Sequence, residues 1–105
     1  MFTIKKMQAN HVVDFAAEEL KKYLRMMMPE CGDIEISFSP NATDGFRLGL
    51  LEDFHLKNEA IDPVLDDVVH VEVSGENGIF AGSNSRSILF SVYRFFKENG
   101  CRFLY

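Results

Sequence analysis

Apolar side chains recur along this chain with two different periods, and the changes of period mark out its elements. Phe2 and Ile4 alternate with Thr3 and Lys5, and Ile34, Ile36 and Phe38 alternate with Glu35 and Ser37. Phe46, Leu48 and Leu50 alternate with Arg47 and Gly49, and Val69, Val71 and Val73 with His70 and Glu72. A period of two belongs to a strand with one buried face, so each stretch is predicted to be a strand. From His11 to Met28 the repeat lengthens. Val13, Ala16, Ala17, Leu20, Leu24 and Met27 follow one another at three- and four-residue intervals, with Glu18, Glu19, Lys21, Lys22 and Arg25 mostly opposite. That spacing predicts an amphipathic helix, with Asn10 at its cap position and Pro29 ending it.

The stretch from Gly75 onward is read as hairpin turn, strand, helix and short closing strand. Asn77-Gly78 is a dipeptide that tolerates the positive φ angles of a tight turn, and it is placed between the Val69 strand and a strand over Ile79 to Gly82. Ser83-Asn84-Ser85 offers side-chain oxygens to the free amides of a helix running from Arg86 to Glu98, which Gly100 stops. Ile88, Leu89, Val92, Phe95 and Phe96 form one apolar stripe on that helix, yet Phe90 and Tyr93 lie off it. A helix apolar on more than one side is normally covered on more than one side. The order strand, helix, several strands, helix and terminal strand points to an α+β fold. The expectation is a mostly antiparallel sheet of about four to six strands with two helices packed on one face.

Composition narrows the partners. A chain of 105 residues with 47% hydrophobic side chains and ten Phe suits one folded domain spanning 1–105. The net charge of −5 gives no electrostatic footprint for nucleic acid or for an anionic membrane surface. No apolar run approaches the ~18 residues of a membrane span. The basic start Met1 to Lys6 runs into Gln8, Asn10 and His11 and lacks the apolar segment of a signal peptide, which leaves a cytoplasmic and a secreted location both open.

Chemistry-bearing motifs are sparse. There is no Gly-x-Ser-x-Gly elbow, no phosphate-binding glycine loop with Lys-Ser or Lys-Thr, and no His-Glu-x-x-His. Cys31 and Cys101 stand 70 positions apart without metal-ligand spacing and are read as free thiols, with a disulfide as the alternative. No catalytic residue, metal ligand or cofactor is assigned. The acidic segment Asp53, Glu59, Asp62, Asp66 and Asp67 does not follow the spacing of a calcium loop and reads as a solvated surface. Asn41-Ala42-Thr43 is a glycosylation sequon, relevant only in a cell that glycosylates secreted proteins. Gly82 to Arg86 could hold an anion at a helix start. The simpler reading is that Ser83 or Asn84 caps the helix while Arg86 pairs with a local carboxylate or carbonyl. The outward strand positions Glu35, Ser37, Arg47, His70 and Glu72 supply no aromatic ring on which a sugar could stack.

The run Phe80-Ala81-Gly82-Ser83-Asn84-Ser85-Arg86-Ser87-Ile88-Leu89-Phe90-Ser91-Val92-Tyr93-Arg94-Phe95-Phe96, followed by Gly100-Cys101-Arg102-Phe103-Leu104-Tyr105, resembles the end of a small α+β domain. That domain precedes the catalytic barrel in beta-N-acetylhexosaminidases, alpha-glucuronidases and related glycoside hydrolases. Ala16 to Leu24 is similar to its first helix. Ser87 stands where such domains usually carry Gly, and Phe90 where they often carry Tyr. The resemblance implies a non-catalytic accessory domain, with the catalytic carboxylates in a barrel that follows about where this chain stops. It also implies that the helices lie between sheet and barrel, so that Arg86, Phe90, Tyr93, Phe103 and Tyr105 would form the domain interface. The alternative is a self-contained interaction module, or a homodimer formed through the same apolar face, with no glycosidase link.

Overall fold

The structure is a computed structural model that describes residues 2–57 and 66–98. Its elements are β1 (Phe2–Lys6), α1 (His11–Met27), β2 (Ile34–Phe38), β3 (Phe46–Leu50), β4 (Val69–Ser74), β5 (Asn77–Gly82) and α2 (Ser85–Glu98). Short 3-10 turns cover Pro29–Cys31 and Leu51–Phe54. The closing strand expected over 100–105, together with Cys101, Phe103 and Tyr105, lies outside the described residues, as do Glu59 and Asp62.

The strands form one sheet in the order β2-β1-β3-β5-β4. β1 runs parallel to both β2 and β3, and β3 runs parallel to β5, while β4 is antiparallel to β5. The fold is α+β, but its sheet is mixed and mostly parallel, which corrects the antiparallel arrangement expected from the sequence. Alternation of apolar and polar residues is the same in both kinds of sheet and carries no sign of strand direction. Parallel neighbours usually need a crossover of a dozen or more residues. Here residues 39–45 suffice between β2 and β3, because they step across β1 alone. Asp44 in this crossover is ion-paired to Lys5, and the Gly45 amide donates to Asn77 Oδ1 at 2.8 Å. The crossover therefore passes on the Lys5 side of β1, whereas α1 covers the Ile4 side. Two crossovers that step in opposite directions along a sheet keep a common hand only by using opposite sides.

The hairpin between β4 and β5 also departs from the sequence expectation. Ser74 pairs with Asn77, so Gly75 and Glu76 make the turn and Asn77-Gly78 already belongs to β5. Gly75 has φ 62° while Glu76 has no positive φ, the pattern of a two-residue turn with glycine at its first central position. The tertiary bond from Gly45 to Asn77 and the register of Val71 against Phe80 outweigh the local preference of Asn-Gly.

One buried cluster joins the layers. Ile4, Phe46, Leu48 and Phe80 of the sheet meet Val13, Ala16, Ala17, Leu20 and Leu24 of α1 and Ile88, Val92 and Phe96 of α2. Full burial of side chains of this size is worth roughly 1.5–3 kcal/mol each, which makes this cluster the main stabilising feature. A run of rings crosses it, from Phe2 stacked on Phe46 at 5.3 Å to Phe46 edge-on to Phe80 at 5.9 Å and Phe80 edge-on to Phe95 at 5.4 Å. Because β1 and β5 point the same way, α1 and α2 start at the same end of the sheet. Asn10 Nδ2 donates to Ser85 Oγ at 2.9 Å at their starts, and Tyr93 Oη donates to Glu19 Oε1 at 2.9 Å further along.

Candidate interaction surface on the second helix

The second helix begins where β5 meets it almost without a connecting loop. A Cβ on Gly82 would stand 2.5 Å from Ser87 Cβ and 2.6 Å from Ile88 N, so only glycine lets the strand end so close to the helix. Asn84 is the cap, its Oδ1 accepting from Ser87 N at 2.8 Å and its carbonyl from Ile88 N at 3.2 Å. Ser83 Oγ donates to the Asp66 carbonyl at 2.6 Å and accepts from Val68 N at 3.0 Å. These bonds fasten residues 66–68 across the helix start.

Asp67 is placed by that fastening. Its Oδ1 accepts from Arg86 Nε at 3.0 Å and from Ser87 Oγ at 2.8 Å, and Arg86 Nη2 stands 2.9 Å away. The guanidinium bonds first, and the Ser87 hydroxyl second, hold the Asp67 carboxyl below its ordinary value. A carboxylate of the chain itself therefore occupies the place at which the sequence allowed an external anion. Of the two readings of Gly82 to Arg86, the structure shows the capped helix with Arg86 on a local carboxylate. The Asp67 side, by contrast, was not legible, since nothing in the acidic segment distinguishes it from its neighbours.

Arg86, Phe90 and Tyr93 are all on α2 but differ in surroundings. Arg86, Phe90, Arg94 and Lys97 recur at three- and four-residue spacing and are exposed, so they make one outward stripe. Phe90 is 42% exposed, in contrast to Ile88 and Val92, which are fully buried. Tyr93 is half-buried and turned toward α1 by its bond to Glu19. The second cover that the sequence demanded for Tyr93 is thus partly supplied by α1, whereas Phe90 faces out.

The first helix adds side chains that sequence reasoning passed over. Phe15 is 51% exposed, and Val12 and Met26 are exposed with it. Phe15 lies about one helical turn before Glu19, as Phe90 lies before Tyr93. With Glu19 and Tyr93 bonded to each other, the two phenylalanines stand at the same level of the helix pair. The available signal was that Val12 and Phe15, like Phe90, fall off their helix's buried stripe.

The described residues contain no group of three or more His, Cys, Asp or Glu able to hold a metal ion. Among them, no helix is long and apolar enough to cross a membrane. On the side of β3 turned away from the core, Phe54 brings a ring within 5.8 Å of the Arg47 guanidinium. An aromatic group therefore reaches the outer sheet face, where the strand pattern by itself offered none. The chain matches no protein-family model and no curated protein.

Proposed function

We propose that this chain is a non-catalytic accessory domain of a carbohydrate-active hydrolase, which docks the outer side of its helix pair on the catalytic barrel. The observation that carries the reading is the pair of outward phenylalanines, Phe15 and Phe90, at one level of two adjacent helices. Apolar rings that a monomer leaves uncovered mark contact surfaces when they cluster. Arg86 and Arg94 flank Phe90, and aromatic and arginine side chains are the types enriched at the centres of interfaces. The link to a glycoside hydrolase rests on the resemblance of the segment from Phe80 to Phe96 and of the first helix. The same reading takes α1 and α2 as one layer on a single sheet face, supported by their shared buried cluster with Ile4, Phe46 and Phe80.

The isolated chain is expected to turn over no aryl glycoside in a panel assay, and clear hydrolysis would end the proposal. Sequencing the gene beyond the codon for Tyr105 should reveal roughly 250 residues of alternating strands and helices. Produced separately, that segment should bind this chain, and Phe90→Asp should weaken the binding at least tenfold. Self-association in light scattering, with no effect of Phe90→Asp on binding to the segment, would favour the homodimer instead.

A further inference from the structure

The sheet ends at β4 in a strand that uses only one side of its backbone. Ser74 faces Asn77 across a two-residue turn, so the residues that exchange hydrogen bonds with β5 are Ser74 with Asn77, Glu72 with Ile79 and His70 with Ala81. Two bonds at the ends of the hairpin agree with that phase. Ser83 N donates to the Val68 carbonyl at 2.9 Å, in step with His70 and Glu72, while Gly78, opposite Val73, turns its amide away from β4 to the Gly45 carbonyl at 3.1 Å. Val69, Val71 and Val73 therefore point their N–H and C=O groups outward, where no described strand lies.

Edges of natural sheets are usually kept from pairing by Pro, by a bulge, by shortness or by a charge pointing inward. β4 has none of these. It runs for six residues in unbroken register with β5, and its alternate positions on the core side are all valine. Val71 and Val73 pack against the buried cluster yet remain only partly covered. On the outer face stand His70 and Glu72, with Nε2 and Oε1 3.6 Å apart, too far for a hydrogen bond. The opposite edge, β2, carries Glu35 and Ser37 on its polar side and lacks such a pair of opposite character.

We propose that β4 pairs with β4 of a second copy of this chain, antiparallel about a two-fold axis at Val71. Val71 then faces the partner's Val71 and Val69 faces the partner's Val73, so every outward N–H and C=O of the three valines meets its complement. The same register sets His70 opposite the partner's Glu72, twice over. A shift of two residues would put Glu72 against the partner's Glu72, or His70 against the partner's His70, and a shift of one would leave the outward N–H groups without facing carbonyls. The strand is thus complementary to itself in one register. His70 and the partner's Glu72 form a pair without backbone bonds, where side chains stand closest, and the imidazole N–H can donate to the carboxylate. The surface includes neither Phe15 nor Phe90, so it does not depend on what the helix pair contacts.

Sedimentation equilibrium of the full chain should show a monomer–dimer equilibrium, and amide exchange at Val69, Val71 and Val73 should slow as the dimer fills. Phe90→Asp should change neither, which separates this dimer from one formed through the helices. His70→Glu sets two carboxylates face to face at both ends of the axis and should weaken the dimer by about tenfold. His70→Glu combined with Glu72→His exchanges the two groups and should restore the affinity. A chain that stays monomeric at its highest soluble concentration, or a dimer whose three valine amides exchange at the monomer's rate, would overturn the proposal. So would loss of the dimer in Phe90→Asp, unchanged affinity in His70→Glu, or a double variant as weak as the single one. The exchange measurement on the wild-type chain decides even if a variant fails to fold.

Discussion

The two helices start in the same way and are held in different ways. At α1, Asn10 Oδ1 accepts from Val13 N at 3.0 Å, and at α2, Asn84 Oδ1 accepts from Ser87 N at 2.8 Å. The chain reaches Asn10 through three residues, Met7 to Ala9, with Met7 buried and its amide on the Leu48 carbonyl and with Gln8 donating to Asp53. It reaches Asn84 with only Ser83 between strand and cap. The tight junction requires a residue without a Cβ at position 82 and draws in Asp67 from outside the helix. The longer one requires neither. Both caps reach across the fold, since Asn10 Nδ2 donates to Ser85 Oγ, but only the second stands against a charged pair, Asp67 with Arg86.

Substitutions can break that contrast, beginning with the junction itself. Gly82→Ala would force a methyl group into Ser87 and the Ile88 amide and should destabilise the chain by about 3 kcal/mol or more, measured by urea unfolding. Gln8, the corresponding position two residues before the first cap, already carries a long side chain. Removing the caps should give a smaller and graded effect. Asn84→Ala should cost about 2 kcal/mol and Asn10→Ala about 1 kcal/mol, because each loses its cap bond and a bond across the fold, but only at Asn84 does that second bond go to a carboxylate, Asp67. Equal losses at the two positions would show that the network around Ser87 adds nothing to the cap.

The pH dependence sharpens the same comparison. The Asp67 carboxyl is held below its ordinary value by Arg86 and then Ser87, so the stability it confers is complete above the unfolded value of about 3.9 and is lost as pH falls through the folded one. Asp67→Asn should therefore flatten the acid limb of a stability profile while leaving its shape above about pH 5 unchanged. Some acid dependence should persist in that variant, since Lys5 holds Asp44 low in the same way. No comparable acid dependence should arise from the cap of α1, whose acceptor is an amide. The smallest effect is expected at the outward ring. Phe90→Ser should change stability by no more than about 0.5 kcal/mol, and it should reduce binding of an apolar dye. A large loss would mean that Phe90 is held by contacts within the chain.

Much of the local structure was legible because it is written in short range. The alternation of Ile34 to Phe38 and of Val69 to Val73 gave strands, and the spacing of Val13 to Leu24 and of Ile88 to Phe96 gave helices whose buried sides agree with the structure. The Asn10 cap could be read from its place before the apolar stripe, while at the second helix the choice between Ser83 and Asn84 was left to the structure, which shows Asn84. The hairpin turn could not be read, because Asn77-Gly78 is the stronger local signal and was displaced by pairing with Gly45 at the start of the neighbouring strand β3.

What the sequence determined by itself is the five strands and two helices of the described residues, most of the buried stripe on each, and the surplus of apolar rings on the last helix. Each of these depends on side chains a few positions apart. Met27 and Phe38, placed on buried stripes by their spacing, lie exposed at the ends of their elements. Only the tertiary structure decided the directions of the strands, the passage of residues 39–45 across β1 and the pairing of Asp67 with Arg86. A strand exposes the same alternating faces whichever way its neighbour runs, and a charged side chain gives no sign of the partner that the folded chain will bring to it.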